Sequence, residues 1–160
     1  MEIGFFLIAF TLHNVEEALY LPAWSKESKF QKTVETNVFL FAVTIVTLTA
    51  YMTGILYLLW PASLWMQYLQ TGLIGAVLVN VIMPHAVATA VERRYSPGLV
   101  TGVLLLIPSG SSAIVHIFQS AELRILEIVI ATVGAGILLI SLILLLFALG
   151  ERIFRKNQRS

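Results

Sequence analysis

Residues 128–149 read IVIATVGAGILLISLILLLFAL, and the chain passes from Ile128 to Leu149 without one charged side chain. A helix needs about 20 mostly apolar residues to cross a bilayer core roughly 30 Å thick. This stretch is long enough, and it lacks the polar stripe that a helix on the surface of a soluble domain would carry. The rest of the chain agrees with it. Of the 160 residues, 58% are hydrophobic and 12% charged, and the mean hydropathy is +0.88. Soluble domains hold about 45–50% apolar and about 25% charged residues. The composition therefore excludes a soluble globular domain, a disordered chain and a nucleic-acid binder. Cysteine is absent, which also excludes a disulfide scaffold, thiolate chemistry and a Cys-ligated metal.

Working outward, the chain divides into five predicted spans: about Ile3–Trp24, Glu35–Trp60, Trp65–Glu92, Pro97–Phe118 and Arg124–Leu149. The breaks carry turn chemistry. Pro22 and the polar run Ser25–Lys32 end the first span, and Trp60-Pro61-Ala62-Ser63 separates the second from the third. Ser96-Pro97-Gly98 precedes the fourth, with Pro97 placed as its first helical residue. The Gln119–Leu123 stretch precedes the fifth. The amino-terminal run reads as a span and not as a signal peptide, because a basic leader is missing and Glu16-Glu17 stands where a small-residue cleavage site would lie. The predicted fold is an all-α bundle of five transmembrane helices over residues 1–150, with a basic cytosolic tail at 151–160.

The basic residues orient it. Lys26, Lys29, Lys32, Arg93, Arg94, Arg152, Arg155, Lys156 and Arg159 all fall on one side of a five-span chain, and only Arg124 falls on the other. By the positive-inside rule the N-terminus lies outside and the C-terminus in the cytosol. Trp24, Trp60 and Trp65 sit at span ends, where interfacial aromatics belong.

Ionisable residues within spans are costly, roughly 2.5–3.5 kcal/mol each at the bilayer centre, and mark functional sites. The first span holds His13-Asn14-Val15-Glu16-Glu17. At about 100° per residue, Glu16 and Glu17 flank His13 by about 60° and 40°, so all three leave one helix face. Rise per residue puts Glu17 and His13 roughly 10 and 16 Å from the cytosolic end, and His85 and Asn80 about 12 and 20 Å. These levels match. His116, roughly 27 Å away, joins them only if the fourth helix is broken near Pro108. Glu127 pairs with Arg124 one turn before it, or with His116 at the outer end.

These residues carry a resemblance. His13-Asn14-Val15-Glu16-Glu17 reads H-x-x-E-E, a second intramembrane histidine follows at His85, and Tyr95-Ser96-Pro97-Gly98 reads Y-x-P-G. The ordered set resembles the HXXEE domain family of small bacterial membrane proteins, over most of the chain. The resemblance implies that His13, Glu16, Glu17, His85, Tyr95, Pro97 and Gly98 are signature positions, and it implies no reaction. The paired glutamates also resemble those of CAAX-type intramembrane proteases, but Leu21 stands where that pattern has Arg.

The site admits two chemistries. His13, Glu16, Glu17 and His85 could ligate a divalent metal, zinc above others by the nitrogen and oxygen donors, with one carboxylate as ligand and the other as general base. Such a centre would make a metal-dependent enzyme, a hydrolase by class, acting on a lipid or lipid-like substrate. Glu16 and Glu17 are then the catalytic candidates and Asn80 an orienting or substrate-binding group. Alternatively the same residues form a metal-free polar network, which binds or carries a lipophilic molecule or ion, or shifts a lipid double bond by acid–base chemistry. Tyr95, Arg93 and Arg94 receive an anionic head group, or serve as interfacial anchors. Membrane lipids are the expected partners, and association of copies stays open. Gly72/Gly75 and Gly98/Gly102 offer small faces for close helix contact, and the fifth span should be the most lipid-exposed.

Overall fold

The computed structural model describes residues 1–29, 31–120 and 123–157, with side chains through residue 154. The described chain is all-helical. It forms α1 (Glu2–Ser25), α2 (Thr36–Leu59), α3 (Leu64–Glu92), α4 (Leu99–Ser120) and α5 (Ile125–Asn157). Four of them, α2 to α5, are long and apolar enough to cross a membrane. The chain is thus a polytopic membrane protein. α1 has the length of a span, 24 residues, but its hydropathy is lowered by His13, Asn14, Glu16 and Glu17. It packs within the bundle against α2 and α4.

Three boundaries differ from expectation. α4 starts at Leu99, with Gly98 left-handed (φ 93°) before it. Pro97 therefore belongs to the preceding loop and is not the first helical residue. α5 runs on to Asn157, so the start of the basic tail continues the span as helix. At the start of α5 the Glu127 carboxylate accepts from the Arg124 backbone N–H at 2.7 Å, which caps the helix instead of pairing two charges. Ala121 and Glu122 of the expected break, and Arg159 of the tail, lie outside the described residues, as do the side chains of Arg155 and Lys156.

Helices have little hydrophobic reason to associate in lipid, so close packing of small residues does the work. α3 packs most extensively on α5. A Cβ added at Gly72 would lie 2.5 Å from the Ala131 carbonyl oxygen, and one at Gly75 would run into Thr132. Gly102 faces Val81 in the same way, which seats α4 on α3. The core of Phe6, Ile74, Leu106 and Ile117 fills the bundle on the side of the site away from the basic loops. The most apolar stretch of α5 has none of its residues buried, as expected of the helix that lipid surrounds.

Two helices depart from α geometry beside each other. α3 is kinked within Val81–Ala86, where Met83 leaves the helical region (φ −120°, ψ 108°). Pro84 is the physical cause. It has no N–H to continue the ladder, and its ring drives the residue before it out of the helical region. α4 has a π segment at Gly102–Leu106. Such insertions in membrane helices often mark functional sites. The loops α1–α2 and α3–α4 meet at one end. Ser28 Oγ donates to Glu92 at 2.6 Å, and Arg94 pairs with Glu27 at 2.6 Å.

Candidate functional site

α1 supplies His13 and Glu17, four residues apart and so on one helix face. His85 comes from the kink of α3. The two imidazoles meet edge to face, ring centroids 5.2 Å apart. Both are 1% exposed. Glu17 Oε1 lies 2.9 Å from His85 Nε2 and 3.7 Å from His13 Nε2. One donor atom from each of the three residues falls within 4.8 Å of the others. Asn80 Nδ2 stands 3.3 Å from His85 Nε2, so the kink brings a side chain five residues earlier to the same ring.

Glu16, expected beside Glu17 as a ligand or base, points elsewhere. Its Oε1 accepts from the Tyr95 hydroxyl and from Gly98 N–H at 2.9 Å. Its Oε2 accepts from Thr101 N–H at 3.2 Å and Thr101 Oγ1 at 2.6 Å. The carboxylate occupies the start of α4, where unpaired backbone N–H groups and the helix dipole favour an anion. Glu16 thus latches the Tyr95–Gly98 loop onto α1. Burial and the adjacent carboxylate push the Tyr95 phenol up to about 12, so it remains a donor.

The latched loop bears on the histidines. A Cβ on Gly98 would stand 2.9 Å from Cε1 of both His13 and His85. Together with φ 93°, this explains the glycine of Y-x-P-G in physical terms: no L side chain suits either the backbone or the space. Ser96 N–H donates to Thr89 Oγ1 at 3.0 Å and holds the other side of the loop.

Thr101 assigns the His13 tautomer, and sequence reading did not single it out. Its hydroxyl hydrogen goes to Glu16 Oε2, which can only accept. Toward His13 Nδ1, 3.2 Å away, Thr101 Oγ1 therefore accepts. His13 carries its proton on Nδ1, and Nε2 bears a lone pair. That Nε2 is buried without a hydrogen-bond partner and faces a carboxylate. Two electron-rich groups turned toward each other need a cation between them, either a proton or a metal ion. A ring N–H given to a neighbouring acceptor is the usual outer support of a metal-ligating histidine. The only signal for Thr101 in the sequence is a hydroxyl three residues after Gly98, and several span threonines look alike. Thr44 and Thr47, for example, bond back to Leu40 and Val43 at 2.7 Å.

The remaining candidates lie apart. Arg94 is engaged by Glu27, by the Trp24 carbonyl at 3.1 Å and by the Trp24 ring at 5.3 Å. Arg93 ends α3 with φ 51°. Both belong to the loop surface and touch none of the three central residues. Asn14 donates to Thr47 Oγ1 at 2.7 Å and ties α1 to α2. His116 is exposed near the opposite end of α4 and takes no part. The site is a buried His–Glu–His cluster, within a bundle of membrane helices, under a glycine loop latched by a second glutamate.

That description defines a class: a membrane-embedded helical protein built around an H-x-x-E-E helix. The chain belongs to the family described as "Protein of unknown function with HXXEE motif", which it matches over residues 5–113. It is similar to the uncharacterized protein YrkK of Bacillus subtilis (strain 168), 43% identical over 152 residues, which cover 94% of this chain and 96% of that protein. No solved structure matches.

Proposed function

We propose that His13, Glu17 and His85 hold a divalent metal, zinc by donor type, in a site that acts on a lipid or lipid-like substrate in the cytosolic leaflet of a bacterial inner membrane. The observation that carries this reading is the His13 lone pair, set by the Thr101–Glu16 chain and turned toward Glu17 with no donor between. The distances suit it. Tetrahedral zinc with ligand bonds of about 2.0–2.1 Å separates its donors by roughly 3.3 Å. The two edges from Glu17, 2.9 and 3.7 Å, bracket that value. Three protein ligands leave a fourth position, as in catalytic zinc sites. A metal there would supply Lewis acidity, which favours hydrolysis as the reaction class. Glu16 serves as the latch in this reading, and Asn80 orients His85 or the substrate.

A second reading rests on the 2.9 Å contact of His85 with Glu17, which also suits a direct hydrogen bond. The cluster is then a metal-free receptor for a lipophilic ligand. Elemental analysis separates the two. Protein purified in mild detergent, without added metal or chelator, should carry about one equivalent of metal, and His85→Ala should carry none. A parent chain free of metal that also takes up no zinc, iron or manganese would overturn the metal reading.

A further inference from the structure

Two apolar recesses adjoin the cluster. The inner one lies between α1, α2, α3 and α5. His13, Asn14, Glu17 and Asn80 form its polar wall, Phe10 and Val46 belong to its apolar lining, and its cavity volume is about 80 Å³. The second is a groove between α3 and α5, floored near Ala76 and Gly136 and flanked by Val79 and Met83. Asn80, Leu139 and Ile143 line both. These three side chains stand as a threshold between the two recesses, so their displacement would join the groove on the flank of the bundle to the recess at His13 and Glu17.

The flank faces lipid. Val79, Met83, Ile137 and Ile140 are each more than half exposed. Ala76 and Gly136, the floor of the groove, stand about 18 and 17 Å along regular helix from the starts of α3 and α5, near the middle of a core roughly 30 Å thick. At that depth the surrounding medium is acyl chain, and an aliphatic groove opening there fills with acyl chain by mass action. Gly136 keeps the groove open, since a Cβ built on it would meet nothing nearer than Ala76 Cβ at 3.9 Å. The threshold changes character inward, from aliphatic Leu139 and Ile143 to the Asn80 amide beside His85. An amphiphile on this path would bury its chain and bring a polar group to the cluster.

We infer that the acyl chain of a membrane lipid enters sideways between α3 and α5, crosses Asn80, Leu139 and Ile143, and lies in the inner recess with its polar group at His13 and Glu17. This deepens the proposed function, rests on its lipid substrate, and does not depend on the metal. The test uses the full chain in bilayer nanodiscs containing phosphatidylglycerol with a mid-chain diazirine, photolysed and mapped by peptide mass spectrometry. Adducts are expected at Leu139 and Ile143 and, inside, at Phe10 and Val46. Ile143→Trp should lower the inner adducts about fivefold or more, the effect of a modest loss of occupancy, while Val79 and Met83 stay labelled. Adducts confined to the outward face of α5, such as Leu138 and Leu144, in the unsubstituted chain would overturn the inference, whatever the variant does. So would inner labelling that farnesol displaces and oleate does not. Metal content is measured on the same samples. Inner adducts without metal leave this inference standing and remove the metal reading. Bound metal without inner adducts does the reverse.

Discussion

Gly98→Ala adds one methyl group at the point where the latched loop meets both histidines. Two costs follow from the geometry. Gly98 has φ 93° and ψ −16°, and a left-handed conformation costs an L residue roughly 1–2 kcal/mol. The new Cβ would stand 2.9 Å from Cε1 of His13 and of His85 and 3.1 Å from His85 Nδ1. Ordinary carbon contacts are about 3.5–4.0 Å, so the rings or the loop must yield by roughly half an ångström or more. Such overpacking typically costs about 1–3 kcal/mol. Together the loss is about 2–5 kcal/mol. For a chain of this size each kcal/mol lowers Tm by roughly 2–4 °C, so a fall of about 4–20 °C is expected in thermal unfolding of the detergent-solubilised protein. Rings pushed apart also spoil the three-donor set, and metal content should fall with Tm. A Gly98→Ala protein with unchanged Tm and unchanged metal would refute the claim that the loop presses on the histidines.

The two glutamates should separate cleanly. Glu17→Gln is expected to lose metal, whereas Glu16→Gln should keep it and lose about 1–3 kcal/mol of stability, because the amide keeps one accepting oxygen and turns its NH2 toward donors from which the other carboxylate oxygen accepts; elemental analysis paired with thermal unfolding reads both, and metal loss in Glu16→Gln alone would reverse the assignment. Thr101→Val removes the acceptor for His13 Nδ1–H and should weaken metal binding about 10–100-fold, as loss of an outer hydrogen-bond partner does elsewhere; competition with a chelator of known affinity measures this, and an unchanged affinity would detach Thr101 from the site. For topology, a reporter fused after Ser160 is expected to be active in the cytosol, and activity on the far side of the membrane would mean that the orientation or the span number is wrong.

The sequence carried the membrane setting, because bilayer thickness translates directly into run length. Five apolar runs sufficed to locate the five helices, four of them long and apolar enough to cross a membrane, and the placement of Lys and Arg supplied an expected orientation. It also pointed to His13, Glu16, Glu17 and His85 as one set by facing and depth, of which the structure brings His13, Glu17 and His85 together. That arithmetic fails where the backbone leaves the regular helix. The kink at Val81–Ala86 and the π segment at Gly102–Leu106 shift facing and rise, so the position of Asn80 beside His85 required coordinates.

The division of labour between Glu16 and Glu17 also needed them. Adjacent on one helix and identical in chemistry, the two glutamates differ only in what stands opposite. Glu17 faces His85, and Glu16 faces the exposed N–H groups at the start of α4. Likewise Y-x-P-G was visible as a motif, but its glycine could be understood only once two imidazoles were found against it. Run length and periodicity are local properties of a chain and are readable along it. The partner of a carboxylate, the tautomer of His13 and the space beside a glycine are relations between distant segments, and tertiary packing alone decided them.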